Sequence, residues 1–267
     1  MRVTAVVFDW AGTILDHGSR APVMAMQDVF SHAGVPVTVP EVRLSMGIAK
    51  RDHIGDILRL PRIGSAWEEK YGDPPDESDL DTLYTDFLQR QFRCLDRFST
   101  LIAGIPEAAE ALRSRAVRIG STTGYTRTML EFLVERARNQ GFAADCAACP
   151  ADVPGGGRPA PWMCYLNAIR LEVHPLWSMV KIGDTPSDIE EGLNAGMWTI
   201  GVTRTGNECG LTEEEWKSSA EHERAAIIET ARARLRAAGS HYLIESAAAC
   251  VDVIDEIAGR ISAGERP

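Results

Sequence analysis

The chain has 267 residues, 45% hydrophobic and 25% charged, with a formal net charge of -10, which allows one large domain or two small ones around a sizeable core. With no basic run, that acidic balance argues against nucleic acid and anionic membranes as partners, and an anionic substrate would need a locally positive site. No stretch approaches the ~20 apolar residues of a membrane span, and the N-terminus lacks the charged, apolar and cleavage regions of a signal peptide, so a cytoplasmic protein is expected.

The chain opens on an apolar strand, Val6-Val7-Phe8, that stops at Asp9 and continues Trp10-Ala11-Gly12-Thr13. A strand ending in a carboxylate puts that carboxylate at the carboxyl edge of a sheet, where open α/β folds bind ligands. Asp9 reads there as a nucleophile or a metal ligand, or else as an Asx-turn closing the strand. After a polar loop, helical periodicity begins near Val23 and stops at Ala33-Gly34. From about Glu41 to Phe98 only helical periods occur, with Ile54, Ile57 and Leu58 on one face and Leu80, Leu83, Tyr84, Phe87 and Leu88 on another. An all-helical block directly after a first strand suggests an inserted domain, with Ser99 to Gly104 as the linker back.

Beyond Ile105 the pattern alternates. Strands are expected at Val117–Thr123, near Cys146, at Met179–Gly183, Trp198–Val202 and His241–Ile244, and helices between them, including helices from about Thr212 to Ala238. Such alternation argues for a doubly wound, mostly parallel sheet with helices on both faces. The expected organisation is an α/β core of residues 1–20 and 100–267 with an all-helical cap of residues 21–99. Cys146 and Cys149 have redox or zinc spacing, but no second pair completes a zinc site, so they read as residues of a buried strand.

Four polar residues arrive at one sheet edge: Asp9, Thr123, Arg158 in a loop framed by glycines and prolines, and Asp184, followed by Asp188. Carboxylates meeting there repel one another unless a cation sits among them, and oxygen-only ligands suit Mg²⁺. The hydroxyl and the cation would hold the non-reacting oxygens of a phosphoryl group while Asp9 attacks phosphorus. Taken singly, Asp184 and Asp188 also fit a turn with a helix cap, and Arg158 a surface charge.

Together these residues resemble the haloacid-dehalogenase-like (HAD) superfamily of phosphotransferases over nearly the whole chain. That family's first motif is Asp-x-Asp-Gly-Thr, and here it reads Asp9-Trp10-Ala11-Gly12-Thr13. The second aspartate protonates an oxygen leaving group, which Ala11 cannot do. The departure is similar to the phosphonatase branch, as are Met46-Gly47-Ile48-Ala49-Lys50-Arg51-Asp52-His53, Gly120 to Tyr125, Gly157 to Met163 and Ala195 to Thr199. The resemblance implies P–C bond cleavage in a small phosphonate, through an aspartyl-phosphate on Asp9 and a Schiff base on cap residue Lys50. A protonated imine beside the carbon accepts the electrons of the broken bond, so no acid is needed where Ala11 stands.

The resemblance also implies Mg²⁺ held by Asp9, the Ala11 carbonyl, Asp184 and Asp188, a substrate pocket of Thr13, Met46, Gly47, Gly124 and Tyr125, and a homodimer through the cap. The apolar Met24, Met26 and Phe30 helix is compatible with such a dimer. Lys50 must be neutral to attack, and Arg51, burial or the cationic substrate loop would lower its pKa. His53, three residues on, would share its helix face and titrate near neutrality to move protons. Another HAD phosphatase or mutase, or a non-catalytic phospho-ligand binder, are the rival readings. The cap is expected to hinge near Gly18 to Pro22 and Ser99 to Gly104.

Overall fold

The computed structural model describes residues 2–267. Six strands, β1 (Ala5–Phe8), β2 (Arg118–Thr122), β3 (Cys146–Ala148), β4 (Met179–Gly183), β5 (Trp198–Val202) and β6 (Tyr242–Ile244), form one sheet in the order β3-β2-β1-β4-β5-β6. Every pairing is parallel, and β1 lies at the centre between β2 and β4, with Val7 beside both Gly120 and Lys181. All four residues of β1 are buried, as expected of a strand covered on both faces. From β1 the chain winds outward first through β2 and β3, then through β4 to β6. The order therefore reverses beside β1, and a crevice opens at the strands' carboxyl ends. Asp9 and Asp184 both stand at that edge.

The first strand is followed by helices α1 (Arg20–His32), α2 (Val39–Arg43), α3 (Lys50–Arg59), α4 (Pro61–Tyr71) and α5 (Glu77–Leu95). They enclose an apolar cluster of their own, including Met26, Phe30, Ile54, Ile57, Trp67 and Phe87. Capping boxes fix two of their starts, Thr38 with Glu41 before α2 and Asp76 with Asp79 before α5. The sheet carries α6 (Ile105–Ser114), α7 (Arg127–Asn139), α8 (Trp162–Arg170), α9 (Pro186–Asn194), α10 (Glu213–Ser218), α11 (Glu221–Ala237) and α12 (Cys250–Ser262). One face packs Phe8 and Trp10 edge-on against Phe142, with ring centroids 6.0 and 6.4 Å apart. The other packs Val7, Cys164, Met179 and Met197.

Two expectations need correction. Met26 and Phe30 are fully buried in the helical cluster, so that stripe serves the fold and offers no dimer face. The first helix starts at Arg20, because a proline in the first turn has no intrahelical hydrogen bond to lose. The helices expected over 212–238 are α10 and α11, parted where Ser219 and Ala220 are extended and the Ala220 amide is capped by Glu223. Cys146 lies in β3, as the strand reading expects, whereas Cys149 is buried just past the strand, at the start of the turn Pro150–Asp152. Among the described residues no helix is long and apolar enough to cross a membrane.

Candidate active site

Asp9 follows directly on β1, its amide held by the Ile182 carbonyl at 2.8 Å and its carboxylate 5% exposed. Asp184 follows β4. Its Oδ1 accepts from the Thr13 hydroxyl at 3.2 Å and its Oδ2 from the Asn207 amide at 2.6 Å. Asp188 sits in the first turn of α9, where its Oδ2 accepts from the Thr185 amide and hydroxyl. The helix-cap reading of Asp188 is thus correct, and so is its nearness to the other two. Oxygens of Asp9, Asp184 and Asp188 lie within 4.8 Å of one another, all three residues buried.

Arg158 compensates part of this charge. Its guanidinium reaches Asp9 at 2.7 Å, Asp188 at 2.9 Å and Glu191 at 2.9 Å, and donates to the carbonyl oxygens of Gly47 and Thr122. It is a buried hub and not a surface charge. Behind it Lys181 Nζ lies 2.9 Å from Asp188 and 3.3 Å from Glu191 and donates to the Thr122 hydroxyl. Burial alone would raise the Asp188 pKa, but Arg158 and Lys181 beside it hold it below the ordinary range. Asp9 goes the other way, raised by burial and then by the Asp188 charge, and Asp184 is pushed well up by burial and then by Asp9. Two buried carboxylates therefore remain short of positive charge at one point. Such a donor set fits a hard divalent cation, with the Ala11 residue at the cavity wall beside them.

The helical domain closes the site from above. Met46, Gly47 and Lys50 share a cavity wall with Asp9, Ala11, Thr123, Gly124, Tyr125, Arg158 and Asp184. Two glycines make the approach close enough. A Cβ at Gly47 would overlap the hydroxyls of Thr185 and Ser187, and one at Gly124 would overlap the Ile48 carbonyl oxygen. Lys50 opens α3, is 6% exposed, and its ammonium lies 5.3 Å from the Tyr125 ring centroid. Its pKa is lowered to about 8, chiefly by burial and also by Arg158, against the pull of Asp9. Arg51 takes no part, because it is turned outward onto Glu77 and Asp81.

Three predicted residues stand outside the cavity wall, Thr13, His53 and Asp188, the last paired with Arg158 and Lys181. The Thr13 hydroxyl is spent on Asp184. His53 is fully buried, with Nε2 2.6 Å from the Val42 carbonyl oxygen, so Nε2 carries the proton and Nδ1 is left without a partner. Burial, then the Lys50 charge, lowers its pKa to about 3, which overturns the expected titration near neutrality. Thr123 is buried and lines the cavity, and its hydroxyl accepts from the Tyr125 amide at 3.2 Å. Residues 3–196 match the family model of the haloacid dehalogenase-like hydrolases.

The chain belongs to the haloacid dehalogenase-like hydrolases.

Within that family, a phosphonoacetaldehyde hydrolase of Bacillus cytotoxicus is 44% identical over 96% of this chain and 97% of its own length. A phosphonoacetaldehyde hydrolase-like protein of Syntrophobacter fumaroxidans is also 44% identical, over 99% of this chain and 95% of its own. The crystal structure of a phosphonoacetaldehyde hydrolase-like protein from Oleispira antarctica superimposes with a TM-score of 0.98 at 38% identity, covering 100% of this chain and 96% of that one. A β-phosphoglucomutase of Clostridium difficile, at 17% identity and a TM-score of 0.69 over 98% of this chain and 100% of that one, shares the fold. Sequence reasoning about this hydrolase missed Lys181 and Glu191. A lysine at the centre of the apolar strand Met179–Gly183 was the available signal, since a strand covered on both faces has no solvent to take its charge.

Proposed function

We propose that this hydrolase cleaves the P–C bond of phosphonoacetaldehyde to acetaldehyde and phosphate. The observation that carries the reading is Lys50, a buried amine with a pKa near 8 on the wall of a cavity it shares with Asp9. A phosphatase of ordinary esters has no use for that amine and needs an acid that this chain lacks, because Ala11 stands in the acid's place. The close relatives named for this activity support the same substrate.

The neutral Lys50 amine adds to the aldehyde carbon, water leaves, and an imine forms. Asp9 attacks phosphorus; the P–C bonding pair moves to carbon, giving an enamine on Lys50 and an aspartyl-phosphate on Asp9. Protonation of the enamine carbon and hydrolysis of the imine release acetaldehyde and free Lys50. A second water splits the aspartyl-phosphate and frees phosphate. Arg158 and Thr123 steady the phosphoryl oxygens, and Met46, Gly47, Gly124 and Tyr125 enclose the substrate. His53, one helical turn along α3 from Lys50, stays neutral through the cycle, its pKa lowered to about 3. Asp9, the Ala11 carbonyl, Asp184 and Asp188 would hold Mg²⁺, which supplies charge compensation for the phosphoryl group. The same reading makes residues 21–99 a mobile cap in a cytoplasmic enzyme, and a homodimer joined through cap faces other than the buried Met26 and Phe30.

Borohydride added with phosphonoacetaldehyde tests the reading. A reduced adduct should appear on Lys50 in the native enzyme and be missing in Lys50→Arg, whose guanidinium forms no imine. If Lys50→Arg released phosphate at the native rate, the Schiff-base mechanism would fall.

A further inference from the structure

Arg43 ends α2, and its guanidinium crosses from the helical domain into the α/β core. Nη1 donates to the Asn207 carbonyl oxygen at 2.9 Å and to Asn207 Oδ1 at 2.7 Å. Nη2 donates to the carbonyl oxygens of Gly18 at 3.0 Å and Gly210 at 3.3 Å. All four acceptors are neutral. Asp184, Asp16 and Glu208 act on it through space, and none pairs with it among the described residues. A partly buried cation held by dipoles alone is expensive to keep, and a domain clasp on the surface would not need it.

The loop it grips leads straight to the chemistry. The Asn207 amide is the 2.6 Å donor to Asp184 Oδ2, and Asn207 itself is 1% exposed. Two residues earlier, the Thr205 hydroxyl donates to the Gly12 carbonyl oxygen at 2.8 Å, beside Asp9 and Ala11. Segment 205–210 thus lies between the cap's cation and a carboxylate of the acidic cluster. One end of Arg43 also holds Gly18, in the hinge where the cap begins.

We infer that Arg43 is a positioning residue: by clamping Asn207 from the cap, it fixes the Asn207 amide on Asp184 and makes full metal affinity a property of the closed enzyme. The inference rests on the reading of Asp184 as a metal ligand. A carboxylate whose second oxygen is tied by an amide presents its first in one orientation, and losing such an outer partner costs about 10–100-fold in metal affinity. When the cap opens, Arg43 withdraws, segment 205–210 loosens, and Asp184 loses its fixed aim. Phosphate release and metal loosening then accompany the same movement.

The test is calorimetric titration of the metal-free full-length protein with Mg²⁺, without substrate, for the native chain, Arg43→Met and Arg43→Lys. Arg43→Met should weaken the Kd about tenfold or more, and Arg43→Lys by less, since one ammonium cannot serve all four acceptors. Hydrogen exchange at the Asn207 amide should quicken in Arg43→Met. Should that variant fail to fold, Asn207→Ala removes the side-chain acceptor while keeping the amide, and a smaller loss of affinity in the same direction is expected. Native protein that binds Mg²⁺, with variants that bind it equally well, overturns the role of Arg43 alone. Native protein that does not bind Mg²⁺ overturns the metal reading and this inference together.

Discussion

Lys50 owes its reactivity to where α3 begins and not to its sequence neighbour Arg51. Burial, the first cause of its lowered pKa, leaves the amine mostly protonated below about 8. The neutral fraction then falls about tenfold for each pH unit below that value. Borohydride trapping of phosphonoacetaldehyde should therefore quicken about tenfold from pH 6 to pH 7 and flatten above pH 8; a flat profile over that range would contradict a buried amine. The sign for stability is opposite to that of a surface lysine. A pKa lowered from 10.5 to about 8 means the unfolded chain binds the extra proton between those values, so stability from this group rises with pH across that window. Lys50→Met should accordingly be inactive yet more stable at pH 7, by roughly 1–3 kcal/mol in denaturant unfolding. Asp9→Asn separates the two covalent steps from the other side. Phosphate release should vanish while the borohydride adduct on Lys50 still forms, and near-native phosphate release would refute Asp9 as nucleophile.

The elements explain what the sequence made legible. Asp9, Thr123 and Asp184 each follow a short strand, and in a parallel sheet all strand ends share one edge, so order along the chain predicts proximity in space. Lys50 was legible only through its resemblance to a family, because a lysine opening an amphipathic helix has no local mark of burial. His53 was placed on the correct face, but its pKa is set by burial inside the helical domain and then by the Lys50 charge, and periodicity does not report that burial. Arg43 left no signal at all. Its partners are carbonyl oxygens and a side chain far along the chain, and any residue type supplies a carbonyl. Closure of the two units depends equally on a feature without side-chain chemistry. Gly124 needs no unusual backbone angle, yet a Cβ there would strike the Ile48 carbonyl of the loop opposite. Gly124→Ala should leave the melting temperature nearly unchanged and cut kcat/KM by on the order of 10²-fold, the usual cost of a displacement near 1 Å at the reacting atoms. Unaltered kinetics would show that the two loops need not meet this closely.

At the scale of the whole molecule, the site is complete only when the helical domain lies against the sheet. The cavity between them is about 20 Å³, room for one water molecule, so on the proposed reading phosphonoacetaldehyde enters only after the domains part. In the proposed mechanism, closure then excludes bulk water from the imine and lowers the dielectric around the phosphoryl group. Within one chain, Arg43 reaches Gly18, Asn207 and Gly210, Arg158 reaches Gly47, and Ser187 reaches the Met46 carbonyl. These contacts dock the cap on the core of its own chain. Lys50 and Asp9 must therefore come from the same protomer even in a dimer. The consequence is a complementation experiment. Asp9→Asn and Lys50→Arg, each inactive, are unfolded, mixed and refolded together so that any dimer contains both. With the cap serving its own core, no phosphate release returns, because every site lacks one of its two covalent groups. Recovery of activity would mean that one protomer's cap covers its partner's sheet, and the docking of Arg43 onto its own Asn207 would then be wrong.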